Sequence, residues 1–267
     1  MQTEREATMA EYAGIDISRW NTLIDYPTLK KAKIDGKTVK FAMLRFSYGK
    51  SRDTLFDAHY KGCRDAGIYV GAYHWLRAKN VTEARDEAQW LVQELRSYEL
   101  DYPVALDFED SELLSLGLPK ERYTAIVNTF MTVLTKANYY VLLYTNPDCL
   151  ENYLQISVRR KYDLWLAHWT DKPRDYGQKM WQYAALGSPE EVEKGYATAA
   201  GKVDGVTGPV DVNISYVGYA RKIREMGKNR PAAGYLVTGT KTVDSTSLAQ
   251  TQGQLKALGF EVTVTEE

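Results

Sequence analysis

Short apolar runs alternate with helical patterns along most of this chain. Eight of the apolar runs have the length of a β-strand. They cover residues 14–17, 41–46, 68–75, 104–109, 139–144, 164–169, 180–183 and 210–212. Because strands that alternate with helices usually pair in parallel, the pattern predicts a mostly parallel sheet covered by helices.

The helical patterns are strongest in the first half of the chain. Asn80 and Glu83 resemble a capping box, and apolar residues then recur at helical spacing from Ala84 to Leu95. After the fifth strand such patterns become scarce. The fold class we expect is therefore α/β, an irregular TIM-like β/α barrel with reduced helices in its second half. An open doubly wound sheet is the alternative, but no G-x-G-x-x-G or Walker motif follows the early strands.

The same pattern divides the chain into four parts. Residues 1–11 are polar and charged and are expected to be a disordered extension, whereas residues 12–226 carry the eight predicted strands. The basic, turn-rich residues 227–233 predict a linker. Beyond them, residues 234–267 form a tail that is too short to bury a core of its own.

The tail predicts a small βαβ module. Strand patterns at residues 234–240 and 260–264 flank a helical pattern at residues 245–258, and Gly259 follows as a helix stop. A single unit of this kind leaves a sheet edge and an apolar face uncovered. We therefore expect the tail to pair with a second copy and make the protein a homo-oligomer. An inert extension packed on the barrel is the alternative.

Composition removes several classes of partner. The chain has 34 Lys and Arg against 35 Asp and Glu, for a net charge of −1, and no basic run predicts nucleic-acid binding. No apolar stretch is long enough to span a bilayer, so membrane insertion is not expected. The N-terminus lacks the apolar segment of a secretory signal, which predicts synthesis in the cytoplasm without a signal peptide.

Cysteine and histidine usage argues against disulfides and metals. Cys63 and Cys149 lie far apart in the sequence, which favours two buried, reduced thiols. His59, His74 and His168 lack the spacing of metal ligands, and the last two are expected to pack within strands. We therefore expect no metal or organic cofactor.

The triplet Asp107, Phe108 and Glu109, at the end of the fourth apolar run, is the clearest candidate for chemistry. On a strand, Asp107 and Glu109 share one face and Phe108 takes the other. Each carboxylate raises the pKa of its neighbour, and burial raises the pKa of both. Such a pair can keep one acid protonated while another stays ionised, as glycosidic bond cleavage requires. A solvated acidic loop is the alternative, since Asp110 and Glu112 follow.

Two further carboxylates lie near strand ends elsewhere in the sequence. Asp16 is near the end of the first predicted strand, and Asp211 lies within the last. Reactions in parallel barrels take place at the carboxyl ends of the strands, and closure brings the first, fourth and last strands around one mouth. We therefore expect one site with four carboxylates. An N-cap at Asp16 and a turn at Asp211 are the simpler explanations of each residue taken alone.

Aromatic residues with a polar atom are abundant, with 20 Tyr and 6 Trp against 6 Phe. Such rings suit a surface that is both apolar and wet, which sugar-binding grooves and Tyr-rich protein interfaces share. Those near predicted strand ends are Tyr73, Trp75, Tyr144, Trp165, Trp169, Trp181 and Tyr183. Core packing explains some of them, because neighbours on a strand cannot all face the mouth.

Seven short motifs occur in a fixed order along the chain. They are GIDISRWN at 14–21, LRFSYG at 44–49, GAYHW at 71–75, LDFE at 106–109, LWLA at 164–167, MWQY at 180–183 and DVN at 211–213. Each motif is weak alone. As an ordered set spanning about residues 12–223, they resemble the family-25 glycoside hydrolases, lysozymes of the N-acetylmuramidase type common in phage endolysins.

The resemblance implies a peptidoglycan hydrolase that cleaves the β-1,4 bond between N-acetylmuramic acid and N-acetylglucosamine with retention of configuration. It implies four acidic site residues, Asp16, Asp107, Glu109 and Asp211, with Glu109 as the proton donor. It places Tyr73, Tyr144, Trp165 and Trp181 along the substrate groove, and we add Arg45 from the second motif. We take Asp107 as the ionised partner. Whether Asp107, Asp211 or the substrate's own acetamido group is the nucleophile stays open.

The resemblance also implies a biological setting. Bacterial peptidoglycan is the expected partner, and the expected role is that of an antimicrobial bacteriophage endolysin that reaches the wall after release from the host cytoplasm. The tail faintly resembles the front half of the small sporulation-related repeat domains that bind peptidoglycan strands, which suggests cell-wall binding. A chitinase-like glycosidase of other specificity and a non-catalytic glycan-binding barrel are the alternatives.

Overall fold

The computed structural model of the protein describes residues 11–230 and 247–257. The strands in these ranges are β1 (Tyr12–Ile17), β2 (Lys33–Ile34), β3 (Lys37–Tyr48), β4 (Ser51–Arg52), β5 (Tyr69–Trp75), β6 (Val104–Asp107), β7 (Val141–Thr145), β8 (Asp163–Ala167), β9 (Met180–Gly187), β10 (Ala199–Ala200) and β11 (Val210–Ser215). The helices are α1 (Tyr26–Leu29), α2 (Phe56–Asp65), α3 (Val81–Leu95), α4 (Ser111–Leu114), α5 (Lys120–Lys136), α6 (Ser157–Lys161), α7 (Pro189–Glu193), α8 (Tyr219–Glu225) and α9 (Leu248–Ala257), and a π-helical turn covers Cys149–Tyr153. In the described ranges no helix is long and apolar enough to cross a bilayer.

Eight of the strands close into a barrel. Their order is β1, β11, β9, β8, β7, β6, β5 and β3, and β3 pairs back with β1. All neighbours pair in parallel except β11, which runs antiparallel to both β9 and β1. The predicted fold class, an irregular β/α barrel, is therefore confirmed, and an open doubly wound sheet is excluded.

All eight predicted strands overlap the barrel strands, but the fourth and the sixth end earlier than predicted. The fourth strand was expected to reach residue 109 and instead ends at Asp107. The cause is Asp110, whose carboxylate accepts a hydrogen bond from the Leu113 N–H at 2.8 Å and so begins α4. The sixth was expected to reach residue 169 and ends at Ala167. Glu109 and Trp169 therefore lie on loops at the mouth of the barrel.

Helices cover the first half of the barrel more fully than the second. At the start of α3, the Asn80 side chain accepts from the Glu83 N–H at 2.9 Å, and the Glu83 carboxylate accepts from the Lys79 N–H at 2.7 Å. This helix packs against α5. By contrast, the fully described residues 168–179 join β8 to β9 without a helix. The expected scarcity of helices after the fifth strand is confirmed.

Tyrosines close the amino-terminal end of the barrel. Tyr102 stacks on Phe41 with ring centroids 4.4 Å apart and meets Tyr219 edge-on at 5.7 Å. The hydroxyls of Tyr140 and Tyr219 both donate to Oδ2 of Asp163, at 2.5 and 3.1 Å. Part of the tyrosine excess therefore packs this end of the barrel and does not face a wet groove.

Polar groups buried between the barrel and its helices find partners. Nδ1 of His74 lies 2.7 Å from Oγ of Ser47, and Nε2 lies 2.6 Å from Oε1 of Glu87. The expected packing role of His74 is confirmed by these contacts. Cys63 and Cys149 are buried free thiols, as their separation in the sequence predicted.

The tail is described only in its helix. That helix, α9, falls within the helical pattern predicted at residues 245–258. The chain divides into two compact units, Met1–Ala232 and Ala233–Glu267. The two strands predicted for the tail lie outside the described residues, as do residues 1–10 of the extension predicted at residues 1–11. The four-part division of the chain and the homo-oligomer therefore stay predictions.

Candidate active site

Four carboxylates meet at the mouth formed by the carboxyl ends of the parallel strands. Asp16 is near the end of β1, Asp107 is the last residue of β6, and Glu109 follows on the loop. Asp211 is the second residue of β11 and is the register partner of Asp16. It reaches this mouth because β11 runs antiparallel, so that its amino end lies beside the carboxyl ends of its neighbours. Asp211 therefore lies at the predicted mouth of the barrel, but its strand runs opposite to the direction expected in a parallel barrel.

Asp16 is buried and held by two amide groups. Its Oδ2 accepts hydrogen bonds from Gln182 Nε2 at 2.9 Å and from Asn213 Nδ2 at 2.8 Å. Burial is the largest influence and raises the pKa of Asp16 to about 6, against the two amides and a hydrogen bond with Asp211, which lower it. Burial, the charge of Asp16 and the shared hydrogen bond all raise the pKa of Asp211 well above its usual range. Asp211 is therefore the protonated member of this pair and Asp16 the ionised one.

Asp107 is the most deeply buried acid of the site, with 2% of its surface exposed. Burial raises its pKa well above the usual range, the charges of Glu109 and Asp16 raise it further, and only Arg45 opposes them. Its Oδ1 has no hydrogen-bond partner among the described residues. These surroundings disfavour an ionised Asp107, so our choice of it as the charged partner stays a prediction that they do not support. The carboxylate with the best support for a negative charge is Asp16.

Glu109 is only partly buried, as Asp211 also is, so a ligand in the mouth can reach it. Burial is the largest cause of its raised pKa, and the charge of Asp16 adds to it. The Asn146 amide, with Nδ2 3.5 Å from Oε2, works in the opposite direction. A reachable carboxyl with a raised pKa can donate a proton near neutral pH.

Two tyrosines line the interior beside the acids. The ring of Tyr144 meets Trp165 edge-on at 4.5 Å, and Tyr73 meets the same indole at 6.1 Å. Burial and the surrounding carboxylates raise the pKa of both phenols well above the usual range. Both hydroxyls therefore stay neutral and able to donate.

The placement of both tryptophans that were predicted to line the groove needs correction. Trp165 is only 1% exposed, and its Nε1 donates to Asn213 Oδ1 at 2.8 Å, so its ring supports the site from beneath. Trp181 is 8% exposed and donates to the His168 carbonyl at 2.7 Å. Since Gln182 points into the site, strand alternation places Trp181 on the outer face of β9.

Arg45 lies close to the acids but is already paired. Its Nε and one terminal nitrogen both lie 2.8 Å from Oδ2 of Asp53, which also accepts from the Arg19 N–H at 3.0 Å. The guanidinium is thereby fixed near Asp107 and Tyr73, whose pKa values it lowers. A direct contact between Arg45 and substrate stays a prediction.

Sequence reasoning missed the amide residues of the site. Gln182, Asn213 and Asn146 hold Asp16 and Glu109, and each is a polar residue within or just after an apolar strand. That position was a usable signal, because an amide inside a barrel strand needs buried partners. No group of His, Cys, Asp and Glu suited to hold a metal ion occurs in the described part of the chain.

Comparisons with known proteins place this geometry in a family. A family model described as glycosyl hydrolases family 25 matches residues 15–192, more than half of the chain. Lysozyme M1 of Streptomyces globisporus is 25% identical over 232 residues, covering 81% of this chain and 71% of that protein. The uncharacterized protein YegX of Escherichia coli is 26% identical over 202 residues, covering 75% and 68%.

A solved structure shares the fold. A bacterial lysozyme from Streptomyces coelicolor superposes with a TM-score of 0.64 at 24% identity, covering 84% of this chain and 99% of that one. At this level of identity the superposition supports the barrel architecture alone.

Replacing Asp16 with Asn should stabilise the protein at neutral pH. Because the folded pKa of about 6 exceeds the ordinary 3.8, protonation of Asp16 favours the fold below pH 3.8, and that stability is lost as the pH rises through about 6. The loss is on the order of 3 kcal/mol, since a pKa difference of one corresponds to about 1.4 kcal/mol. Thermal unfolding should show a higher Tm for Asp16→Asn at neutral pH and no gain below pH 3.8.

Asp65→Asn is the matched control, because Asp65 is exposed on α2 and its ion pair among the described residues is with the exposed Lys61. Its Tm should follow that of the wild type across the same pH range. An Asp16→Asn variant that is less stable than the wild type at neutral pH would contradict the assignment of a buried, ionised Asp16.

Proposed function

The chain belongs to glycosyl hydrolase family 25, and we propose that it is a lysozyme that cleaves the β-1,4 bond between N-acetylmuramic acid and N-acetylglucosamine in peptidoglycan. The observation that carries the proposal is the mouth with four carboxylates, of which Glu109 alone combines a raised pKa with a position on an open loop. Two acids in different electrostatic surroundings are what glycosidic cleavage needs.

In the proposed reaction, Glu109 gives its proton to the glycosidic oxygen as the bond to the sugar breaks. The negative charge that Gln182 and Asn213 hold on Asp16 stabilises the positive charge that develops on the sugar ring. Glu109 then takes a proton from the attacking water. Asp107 and Asp211, each of which would first have to lose its proton, and the substrate acetamido group remain the three candidates for the nucleophile, and retention of configuration is expected.

The proposed bond is tested by digesting purified peptidoglycan and weighing the fragments. A lysozyme leaves N-acetylmuramic acid at the new reducing end, whereas a glucosaminidase leaves N-acetylglucosamine and an amidase releases peptides. Cleavage of soluble chitin oligomers without cleavage of peptidoglycan would favour the chitinase-like alternative. Binding of glycan without any cleavage would favour the non-catalytic barrel.

The biological setting of the enzyme is also a proposal. A phage-endolysin role, with release from the host cytoplasm to the wall and antimicrobial action, is supported by the motif resemblance. Bacterial suspensions whose turbidity is unchanged by added protein would contradict the antimicrobial part.

For the tail, light scattering of the full chain and of a chain ending at Lys228 tests the predicted homo-oligomer. If both chains are monomeric, the prediction is refuted.

Glu109→Gln should abolish most turnover and leave the fold intact. The amide has nearly the same shape but no acidic proton to transfer, and a general acid contributes roughly 10²–10⁴ to the rate. Release of reducing ends from peptidoglycan measures the loss. Glu112→Gln, three residues further along, is the matched control because Glu112 is exposed and pairs with Arg77 at the rim. Near-wild-type turnover in Glu109→Gln would refute the assignment.

The rate should follow a bell-shaped pH profile with a basic limb that reports Glu109. Asn146→Ala removes the amide that lowers the pKa of Glu109, so the basic limb should move to higher pH. Asn152→Ala is the control, because Asn152 is exposed and its side-chain hydrogen bond among the described residues goes to Asp148 at 2.6 Å. A profile that stays flat far into the alkaline range would count against a carboxylic acid as the donor.

A further inference from the structure

Gln182 uses both ends of its buried amide. Only 2% of the residue is exposed. Its Nε2 donates to Asp16 at 2.9 Å, and its Oε1 accepts from the Tyr144 hydroxyl and from Trp169 Nε1, both at 3.1 Å. An indole N–H can only donate, so it fixes which end of the amide is the oxygen. Trp169 thereby determines that the amide NH₂ of Gln182 faces Asp16.

Trp169 stands on the rim of the mouth, two residues after the end of β8. Its side chain is 55% exposed although its N–H is bonded inside the barrel. Every other hydrogen-bonded tryptophan described above is nearly buried. A large ring that is held at one edge and open to solvent offers an apolar face on which a sugar ring can stack without prior ordering of the side chain.

We infer that Trp169 binds a sugar ring of the glycan strand on its exposed face and, through its N–H, acts as a positioning residue that orients Gln182 toward Asp16. The inference rests on the proposed function for the identity of the ligand. The positioning part rests on the hydrogen bonds alone. Binding of the glycan strand at Trp169 is thus coupled, through Gln182, to the protonation state of Asp16.

The positioning contact acts within a crowded set of ionisable groups. Those that face Asp16 are Asp211 from β11, Asp107 from β6, Glu109 from the following loop, Tyr73 from β5 and Tyr144 from β7, with Arg45 of β3 as the nearby cation. If the Gln182 amide turned over, its oxygen would face the Asp16 carboxylate. The ionised form of Asp16 would lose a donor and its pKa would rise.

Trp169→Phe tests the positioning part because it keeps a ring on the rim and removes the N–H. We expect the carboxyl of Asp16, followed by carbon-13 NMR titration, to titrate at higher pH than in the wild type. This readout needs no turnover, so it stands even if the enzyme cleaves a different bond. An unchanged titration of Asp16 in Trp169→Phe would overturn the positioning role.

Two further variants separate this contact from general damage. Gln182→Leu removes the same donor and should shift the Asp16 titration in the same direction, and the double variant should add little, since both changes break one network. Trp20→Phe is the matched control, because Trp20 is an exposed indole after β1 that lies outside this network. It should leave the titration unchanged, and an equal shift in Trp20→Phe would also overturn the role.

The binding part is tested in the Glu109→Gln background with soluble glycan fragments of purified peptidoglycan. Trp169→Ala should weaken their binding about tenfold through loss of ring stacking, whereas Trp169→Phe should weaken it much less. Equal affinity for Trp169→Ala and its parent would overturn the stacking role. If the wild type releases muropeptides and these variants behave like their parents, the inference fails while the proposed function stands.

Discussion

Strand β1 makes two ladders of hydrogen bonds, one parallel with β3 and one antiparallel with β11, and these ladders close the barrel. In this barrel β11 enters between β1 and β9 and runs against the direction of the other seven barrel strands. That reversal carries Asp211, at the start of β11, to its register partner Asp16 near the end of β1. Without the pairing of β1 with β3, β1 and β11 would lie together at one edge of an open sheet, far from β6 and its acids, and no site with four acids would exist.

Closure also determines the electrostatics, because it forces several acids into a space where Arg45 is the nearby cation in the described part of the chain. Arg45 is already shared with Asp53, so it cannot neutralise the group. Few of the acids are therefore ionised. The pKa values of Asp107 and Asp211 are strongly raised, and two amide groups donate hydrogen bonds to Asp16. Such an arrangement is costly for folding and useful for acid catalysis, since burial and, to a lesser extent, the charge of Asp16 raise the pKa of Glu109 and so favour its protonated form.

The pattern of apolar and polar positions was enough to predict the eight barrel strands and the mouth where the acids meet. It could not give the direction of β11, because a short apolar run reads the same in either direction. It also could not determine, for every strand, which of the alternating residues face the barrel interior. In β8 and β9, Trp165 and Trp181 were both assigned to the groove, yet one packs beneath the site and the other faces outward, while Gln182 between two aromatics points in. Which residues of an alternating run face inward depends on contacts with neighbouring strands.

Asp107 and Glu109 emerge on the same side of the chain, as predicted, but strand alternation is not the whole cause. Strand alternation predicted that both acids share a face, but β6 ends at Asp107 and Glu109 lies on a loop. They still emerge on one side because Phe108 between them is buried and packs edge-on against Tyr123 of α5 at 5.9 Å. The early end of the strand matters for chemistry. It leaves Asp107 in the barrel wall with an unpartnered oxygen among the described residues, and it brings Glu109 into reach of a ligand. Two acids two residues apart therefore differ in burial, and that difference allows one to stay neutral in the interior while the other exchanges protons with a bound sugar.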